Sequence, residues 1–137
     1  MQFRENFRMT QRWLLKKRDF DAAHARRKEF RALLAERHRS ADLDPHELVF
    51  GELVANAVRY GDEPISVAVA VTNGIVQIRV ENAGDCFDLD RRLAAAPGPS
   101  ATGGRGLQIV RALADTLTVE HLPFSSCRVT ATLKLSM

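Results

Sequence analysis

The chain has few of the residues that build covalent cross-links or protein-only metal sites. Its 137 residues include only two cysteines, Cys86 and Cys127, which match no metal-binding or redox spacing. The four histidines show no metal spacing either. We therefore expect two inert, reduced thiols and a cytoplasmic location, since disulfides are uncommon in that compartment.

Long apolar runs are missing as well. No stretch approaches the roughly 18 consecutive apolar residues that a membrane-spanning helix needs. Residues 1–10 are too polar and charged for a signal peptide, and no internal repeat is visible. The length suits one domain with a hydrophobic core, so we expect a single domain over residues 1–137 and no membrane partner.

The positive charge lacks the interleaved aromatic residues that stacking on nucleic acid bases requires. Residues 1–40 carry 12 lysines and arginines against 5 acidic residues, whereas the remainder of the chain is acidic overall. Such a basic segment is compatible with nucleic acid or with an acidic protein partner. Without stacking platforms, the pattern favours a solvated helix face or a protein partner over nucleic acid.

Periodicity and turn residues predict the order of the elements. Apolar residues at helical spacing predict helices at about 22–38, 44–60 and from Gly106 onward, with Asp19 or Asp21 capping the first and Asp44 capping the second. Alternation predicts strands near 12–16, 65–71, 76–80, 117–119 and 129–135, and Asn73-Gly74 predicts a hairpin turn. This order predicts an α+β fold, a two-layer α/β sandwich with helices on one face of a mostly antiparallel sheet.

The stretch Glu52–Gly61 carries two polar residues on one side of a predicted helix. Apolar residues at helical spacing predict its buried stripe, namely Leu53, Ala57 and Tyr60. Glu52 and Asn56 are four residues apart, so they lie one turn apart on the same side, bordered by Arg59. Gly61 is typical of a residue that ends a helix. A carboxylate beside an amide can pair a proton acceptor with a metal ligand, although a solvated face would show the same pattern.

Two glycine-containing segments follow this helix. Asn82-Ala83-Gly84 is predicted to be a turn after a core strand, and the glycine cluster at 103–107 opens a helix. Glycines at a helix N-terminus expose unpaired backbone N–H groups that suit a phosphate. An asparagine oxygen suits Mg²⁺ only when phosphate and water complete the shell. Each glycine segment alone is more typical of a flexible loop, but the two segments and the helix together predict a nucleotide site.

The three segments, in this order, resemble the motifs of the Bergerat (GHKL) ATP-binding fold. The stretch Glu52–Gly61 resembles its N box, Val80–Gly84 its first glycine box and Gly104–Leu107 its second. The chain is most similar to stand-alone anti-sigma factors that are also serine protein kinases, relatives of the ATPase domain of histidine kinases. The resemblance covers about residues 22–135. It implies one histidine-kinase-like ATPase domain over 1–137, with 1–20 as an N-terminal strand extension.

The resemblance also implies a role for each matching residue. Glu52 would be the catalytic base that takes a proton from a partner's serine or from water, and Asn56 would bind Mg²⁺ between the ATP phosphates. Asn82 would accept a hydrogen bond from adenine, and Gly84 would let the backbone pass close to the base. The remaining residues predicted to bind the nucleotide are Arg59, Gly104, Arg105, Gly106 and Leu107.

Two positions depart from the family's pattern. Asn82 stands where the family usually has an aspartate. Its amide oxygen can still accept from the adenine amino group, but it lacks the charge that makes such a bond about twice as strong. Cys86 stands where glycine is frequent, at the start of the segment 86–103 that resembles the family's ATP lid, and it would stiffen that start.

The resemblance therefore implies an ATP-dependent serine/threonine protein kinase that uses ATP and Mg²⁺. Such a protein would hold a sigma factor or similar client and phosphorylate a serine on an antagonist protein, in a partner-switching system. The alternative is a catalytically inactive protein-interaction module of the same fold, either nucleotide-binding or nucleotide-free. A homodimer is left open, because no dimer seam can be read from the sequence.

Overall fold

The structure is a computed structural model, and it describes residues 10–39, 41–84, 86–87, 89–94 and 106–135. Two of the residues predicted to bind the nucleotide, Gly104 and Arg105, lie outside these ranges. The predicted loop at 96–103 lies outside them as well. In chain order the elements are β1 (Gln11–Leu15), α1 (Phe20–Arg37), α2 (Asp44–Tyr60), β2 (Asp62–Thr72), β3 (Ile75–Ala83), α3 (Leu89–Ala94), α4 (Gly106–Leu113), β4 (Thr116–Leu122) and β5 (Ser126–Lys134).

The five strands form one sheet in the order β1-β2-β3-β5-β4. All four pairings are antiparallel, so the predicted α+β class with a mainly antiparallel sheet is confirmed. The predicted hairpin joins β2 to β3 at Asn73 and Gly74, whose φ angles are 53° and 76°. Positive φ at both positions is what a two-residue hairpin turn of the I′ type requires.

The hydrophobic core lies between one face of the sheet and the helices. Its largest fully buried side chains include Phe30 of α1 and Phe50 of α2, whose rings stack with centroids 4.4 Å apart. Trp13 of β1 meets Phe50 edge-on at 5.6 Å. Each buried aromatic side chain contributes roughly 1.5–3 kcal/mol to folding, so this cluster joins α1, α2 and the edge strand. None of the described helices is long and apolar enough to cross a membrane.

The helices α1 and α2 are also joined by ion pairs, which correct the predicted cap of α2. Leu43 occupies the N-cap position without a side-chain hydrogen bond. The carboxylate of Asp44 instead lies 2.7 Å from Arg31 Nη1, which also contacts Glu47 Oε1 at 2.7 Å. Arg27 Nε donates to Glu47 Oε2 at 3.0 Å. Part of the positive charge of α1 is therefore neutralised within the molecule, which fits the solvated-face interpretation of the basic segment.

Two further local predictions had different outcomes. Asp19 caps α1 as predicted, because its Oδ1 accepts a hydrogen bond from the Ala22 N–H at 3.0 Å. Tyr60, by contrast, is 56% exposed and does not belong to the buried stripe of α2. The last buried residues of this helix are Ala57 and Val58, so the buried stripe stops short of Tyr60.

Candidate functional site

The site is built around the contact between Glu52 in the middle of α2 and Gly106 at the start of α4. A Cβ atom on Gly106 would lie 2.5 Å from Glu52 Oε1 and 3.5 Å from Glu52 Cδ. A side chain at this position would push the end of the Glu52 side chain away, so glycine is what allows the carboxylate to lie against the first residue of the helix. A negative charge at a helix N-terminus is favoured by the helix dipole. The fold thus brings the predicted N box and the second glycine box into direct contact.

Asn56 lies one helical turn beyond Glu52, on the flank of α2 next to the buried stripe. The buried residues Leu53 and Ala57 hold this turn against the core, while Glu52 and Asn56 remain half-buried. Their spacing puts both polar side chains on the same side of the helix. The two side chains can therefore serve one site.

Arg59 belongs to the same flank, one turn further on. Its guanidinium lies over the ring of Phe20, 5.4 Å from the ring centroid, a distance at which a cation and an aromatic face attract each other. The structure thus directs Arg59 toward the start of α1. Its contact with a nucleotide stays a prediction.

Asn82 lies beside the other end of α2. It is the penultimate residue of β3, so the predicted turn at this position is wrong and the strand continues through Ala83. A Cβ atom on Gly61 would lie 2.6 Å from Asn82 Cγ, which means that the end of α2 packs directly on this side chain. Asn82 Nδ2 donates to the Ala83 carbonyl at 2.7 Å. This bond engages the amide nitrogen, so the amide oxygen is the atom that would accept from a ligand.

Gly84, the next glycine along the chain, is held by the turn before β5 and faces an acid that is not among the predicted site residues. Its φ angle of 100° is in the region that favours glycine, and its N–H donates to the Ser125 carbonyl at 2.7 Å. A Cβ atom here would lie 2.8 Å from Asp62 Oδ2. Asp62 also forms an ion pair with Lys17 at 2.6 Å. No local motif marks Asp62. Its position beside Gly84 depends on the irregular register between β2 and β3 at this point.

The start of α4 offers backbone rather than side chains to a ligand. Leu107 is 3% exposed and packs in the core, so its N–H, not its side chain, is what remains for a phosphate. The predicted role of the second glycine box as a set of backbone donors is compatible with this packing. Gly104 and Arg105 precede the described part of α4, and their roles stay predictions.

The cysteines contradict the expectation of reduced thiols, because Cys86 and Cys127 form a disulfide. Their Cα atoms are 4.9 Å apart although 41 residues separate them in sequence. Cys127 is the Cα partner of Asn82 in the pairing of β3 with β5. Sequence spacing could not reveal this bond, since only the strand register brings the two residues together.

The donors at this site suit a divalent ion that is bound mostly through phosphate and water. Across the described ranges, no three residues among His, Cys, Asp and Glu cluster so that they could hold a metal ion by themselves. Glu52 and Asn56 offer one carboxylate and one amide oxygen on the same side of α2. Mg²⁺ characteristically takes one or two protein oxygens and completes its shell with substrate phosphates and water, so this donor set fits it.

Comparison with known proteins identifies the family. The family model for the histidine kinase-like ATPase domain matches residues 17–130 of the chain. The chain therefore belongs to the histidine kinase-like ATPase domain family, whose fold the Bergerat resemblance predicted. The family implies ATP binding in general terms. The domain extent of 1–137 stays a prediction, and no curated protein matches the chain.

Solved structures of related architecture support the fold. The crystal structure of the RsbU and RsbW domains of Rv1364c from Mycobacterium tuberculosis matches 93% of this chain with a TM-score of 0.64 and 24% identity. This chain spans only 33% of that protein. The histidine kinase AdeS of Acinetobacter baumannii has a TM-score of 0.54 and 16% identity, covering 98% of this chain and 72% of that one. The histidine kinase domain of the E. coli osmosensor EnvZ has a TM-score of 0.50 and 15% identity, covering 95% and 91%.

Proposed function

We propose that this chain is an ATP-dependent serine/threonine protein kinase of the anti-sigma-factor type, acting in a cytoplasmic partner-switching system. It would bind Mg·ATP, hold a sigma factor or a similar client protein, and phosphorylate a serine on an antagonist protein. The observation that carries the proposal is the contact between Glu52 and Gly106. It supports a carboxylate fixed beside the helix N-terminus at which the terminal phosphates would lie. The likeness to a structure containing an RsbW domain supports the same branch.

In this proposal Glu52 is the catalytic base. Glu52 accepts the proton of the serine hydroxyl as the hydroxyl oxygen bonds to the γ-phosphorus of ATP. The bond from that phosphorus to the bridging oxygen breaks, and ADP leaves. The protein contributes mainly positioning and electrostatic stabilisation to such a transfer. A Mg²⁺ ion held by Asn56 and the phosphates would supply charge neutralisation when bound.

The remaining site residues bind the nucleotide. The oxygen of Asn82 accepts from the adenine amino group, an orientation that its bond to the Ala83 carbonyl favours. Gly84 gives the base room to approach the backbone. The residues assigned to the phosphates are Arg59, Gly104, Arg105, Gly106 and Leu107.

The deciding experiment compares the native chain with Glu52→Gln, a change that keeps the size of the side chain and removes its basicity. Calorimetry with Mg·ATP and transfer of labelled phosphate to a candidate antagonist are measured for both proteins. We expect ATP affinity close to native and a loss of transfer of at least about a hundredfold, since general bases contribute about 10²–10⁴-fold. The antagonist with its acceptor serine changed to alanine serves as the substrate control.

Glu36→Gln, at an exposed position of α1, is the matched variant because it removes one carboxylate far from the site. It should transfer phosphate like the native chain. Undiminished transfer by Glu52→Gln would refute the role given to Glu52, and absence of ATP binding by the native chain would refute the kinase proposal as a whole.

A second candidate function is favoured by one observation. Asn82 replaces the charged acceptor expected in the family, and its amide nitrogen is engaged with Ala83. This is compatible with a protein-interaction module of the same fold that has lost catalysis. Native chain that binds Mg·ATP but phosphorylates no acceptor would support the module over the kinase.

A further inference from the structure

The disulfide lies beside the proposed adenine position. Cys127 on β5 is the direct Cα partner of Asn82 on β3 and of His121 on β4. Along β5 its side chain shares the core-facing side with Val129 and Ala131, and along β3 Asn82 follows Ile78 and Val80 on that side. The sulfur bridge and the Asn82 amide are therefore neighbours on the helix-covered face at the same end of the sheet.

The bridge holds the chain where it leaves β3. Cys86 lies two residues after Gly84. The N–H of Gly84 donates a hydrogen bond to the Ser125 carbonyl at 2.7 Å. After the bridge, Phe87, Leu89 and Leu93 pack against the edge of the core. The disulfide thus sets where this connection begins.

The far end of α3 is held by the helix that carries the phosphate-binding segment. Gln108 Nε2 of α4 donates to the Leu93 carbonyl at 3.2 Å, and Gly106 of the same helix touches Glu52. A short helix is therefore fixed by the disulfide at one end and by α4 at the other. A change at the disulfide therefore acts on a segment that is joined to β5 opposite Asn82 and to α4, the helix that begins at Gly106.

The two sulfurs differ in their access to a reductant. Cys127 is 1% exposed, whereas Cys86 is half-buried, with its Sγ 3.5 Å from the Glu120 carbonyl oxygen. An attacking thiolate can reach the Cys86 sulfur far more easily, and exchange rates depend on such access. We therefore expect a reductant to open the bridge from the Cys86 side.

We propose that Cys86 and Cys127 form a redox modification site, at which reduction by a dithiol loosens the connection between β3 and α3 and weakens nucleotide binding. A dithiol thiolate bonds to the Cys86 sulfur and breaks the Cys86–Cys127 bond, and Cys127 leaves as a thiolate that takes up a proton. The second thiol of the reductant then displaces Cys86. The protein gains two electrons and two protons, and the reductant becomes a disulfide.

The affinity part of this inference rests on the proposed function, and its direction follows from preorganisation. A segment already held in place has less conformational freedom to lose when a ligand binds. Once the bridge is open, residues 86–87 and 89–94 lose order. Ordering them again when ATP binds makes the free energy of binding less favourable. Each immobilised flexible side chain lowers affinity by a few-fold, so we expect the Kd for Mg·ATP to rise about three- to tenfold on reduction.

The test compares oxidised and dithiothreitol-reduced native chain. Alkylation followed by intact mass counts the free thiols, amide hydrogen exchange follows peptides from α3 and from the turn between β4 and β5, and calorimetry gives the Kd for Mg·ATP. The double variant Cys86→Ser/Cys127→Ser is the matched control. It should bind Mg·ATP like the reduced chain. Dithiothreitol should change neither its hydrogen exchange nor its Kd.

The expected result is no free thiol before reduction, two afterwards, faster exchange in α3 and weaker ATP binding. Equal exchange and equal Kd in both states would overturn the proposal, and so would two free thiols in the chain under oxidising conditions. If neither state binds Mg·ATP, the proposed function fails, and the exchange comparison alone then decides whether the bridge controls this segment. If the double variant is unfolded by circular dichroism, the comparison of the oxidised and reduced native chain still decides between these outcomes.

Discussion

Glu52 Oε1 lies 2.5 Å from the position that a Cβ atom would take on Gly106. This relationship joins the middle of α2 to the first residue of α4, two segments that are distant in the chain. The carboxylate occupies space that any residue other than glycine would fill. The glycine therefore allows the carboxylate to keep this position, whatever ligand the site binds.

Gly106→Ala should displace the Glu52 carboxylate at a small cost in stability. The added methyl group meets Glu52 Oε1 well inside contact distance, but this oxygen ends a flexible side chain that can turn away, so we expect a loss of no more than about 1 kcal/mol, the low end for overpacking. Urea unfolding followed by circular dichroism measures the change. Because Glu52 would have to move, phosphate transfer should fall as well.

Two variants isolate the cause of that loss. Gly51→Ala in α2 places a Cβ 3.0 Å from the Cδ atom of the flexible Arg27 side chain, so it should be close to neutral in stability. Combining Glu52→Ala with Gly106→Ala should restore much of the stability that Gly106→Ala loses, because the clashing group is removed. Phosphate transfer by Gly106→Ala equal to that of the native chain would show that the contact does not position the Glu52 carboxylate.

Asn82→Asp should strengthen nucleotide binding while weakening the fold. A hydrogen bond to a charged acceptor is stronger than one to a neutral acceptor by about 1 kcal/mol. This difference corresponds to roughly a fivefold lower Kd for Mg·ATP. The carboxylate can no longer donate to the Ala83 carbonyl, which should reduce stability by about 1 kcal/mol. Calorimetry and urea unfolding measure the two effects separately. If Asn82→Ala and Asn82→Asp bind ATP equally, this side chain does not face the base.

His46 should make stability depend on pH near neutrality. It is 3% exposed, and its Nε2 donates to the Lys134 carbonyl at 3.0 Å. Burial lowers the pKa of His46 below 6.5, although the hydrogen bond to Lys134 and the carboxylates of Asp42 and Asp115 oppose this shift. The unfolded chain then binds a proton at a higher pH than the folded chain. Stability from this group is present above pH 6.5 and is lost as pH falls from there through the folded pKa.

The corresponding measurement is the free energy of unfolding between about pH 5 and pH 7. His46→Gln should flatten the dependence in this window, whereas His24→Gln, at an exposed position of α1, should leave it as in the native chain. An unchanged slope in His46→Gln would mean that His46 is protonated to the same degree in the folded and unfolded states.

Glu47→Gln should weaken the junction of α1 and α2. Burial opposes the charge of Glu47, but hydrogen bonds from Arg31 and Arg27 outweigh it and hold the Glu47 pKa below 4.5. Its contribution is therefore present above that value and is lost as pH falls through the folded pKa. We expect the free energy of unfolding to fall by about 1 kcal/mol near neutral pH and by less in acid, as measured by urea unfolding. Asp44→Asn should reduce stability less, because the Asp44 side chain is 79% exposed. Equal losses of stability in the two variants would show that Glu47 is not the stronger partner at this junction.

Much of the fold could be predicted because its signals are local. Alternating valines and isoleucines place β2 and β3, and Asn73-Gly74 supplies the left-handed turn between them. The cap at Asp19 depends on a backbone N–H only three residues away. Signals of this kind are read from neighbouring residues, so one sequence is enough to find them.

The failures at Asp44 and Asn82 involve partners that are distant in the chain. Asp44 has the right residue type and position for a cap, but Arg31 of another helix captures its carboxylate. Tyr60 fits the helical period, but its side chain is exposed in the last turn of α2. Asn82 has the residue type of a turn, but pairing with β5 keeps it in a strand.

The amino-acid sequence by itself determined the candidate residues of the site: a carboxylate and an amide one helical turn apart, an asparagine after a core strand, and a glycine cluster before a helix. Only the tertiary structure decided that Glu52 meets Gly106, that Gly61 packs on Asn82 and that the two cysteines are bonded. The reason is physical. Helical and strand periods act over a few residues, whereas the meeting of distant side chains depends on strand register and helix packing, which are set by burying the whole core at once.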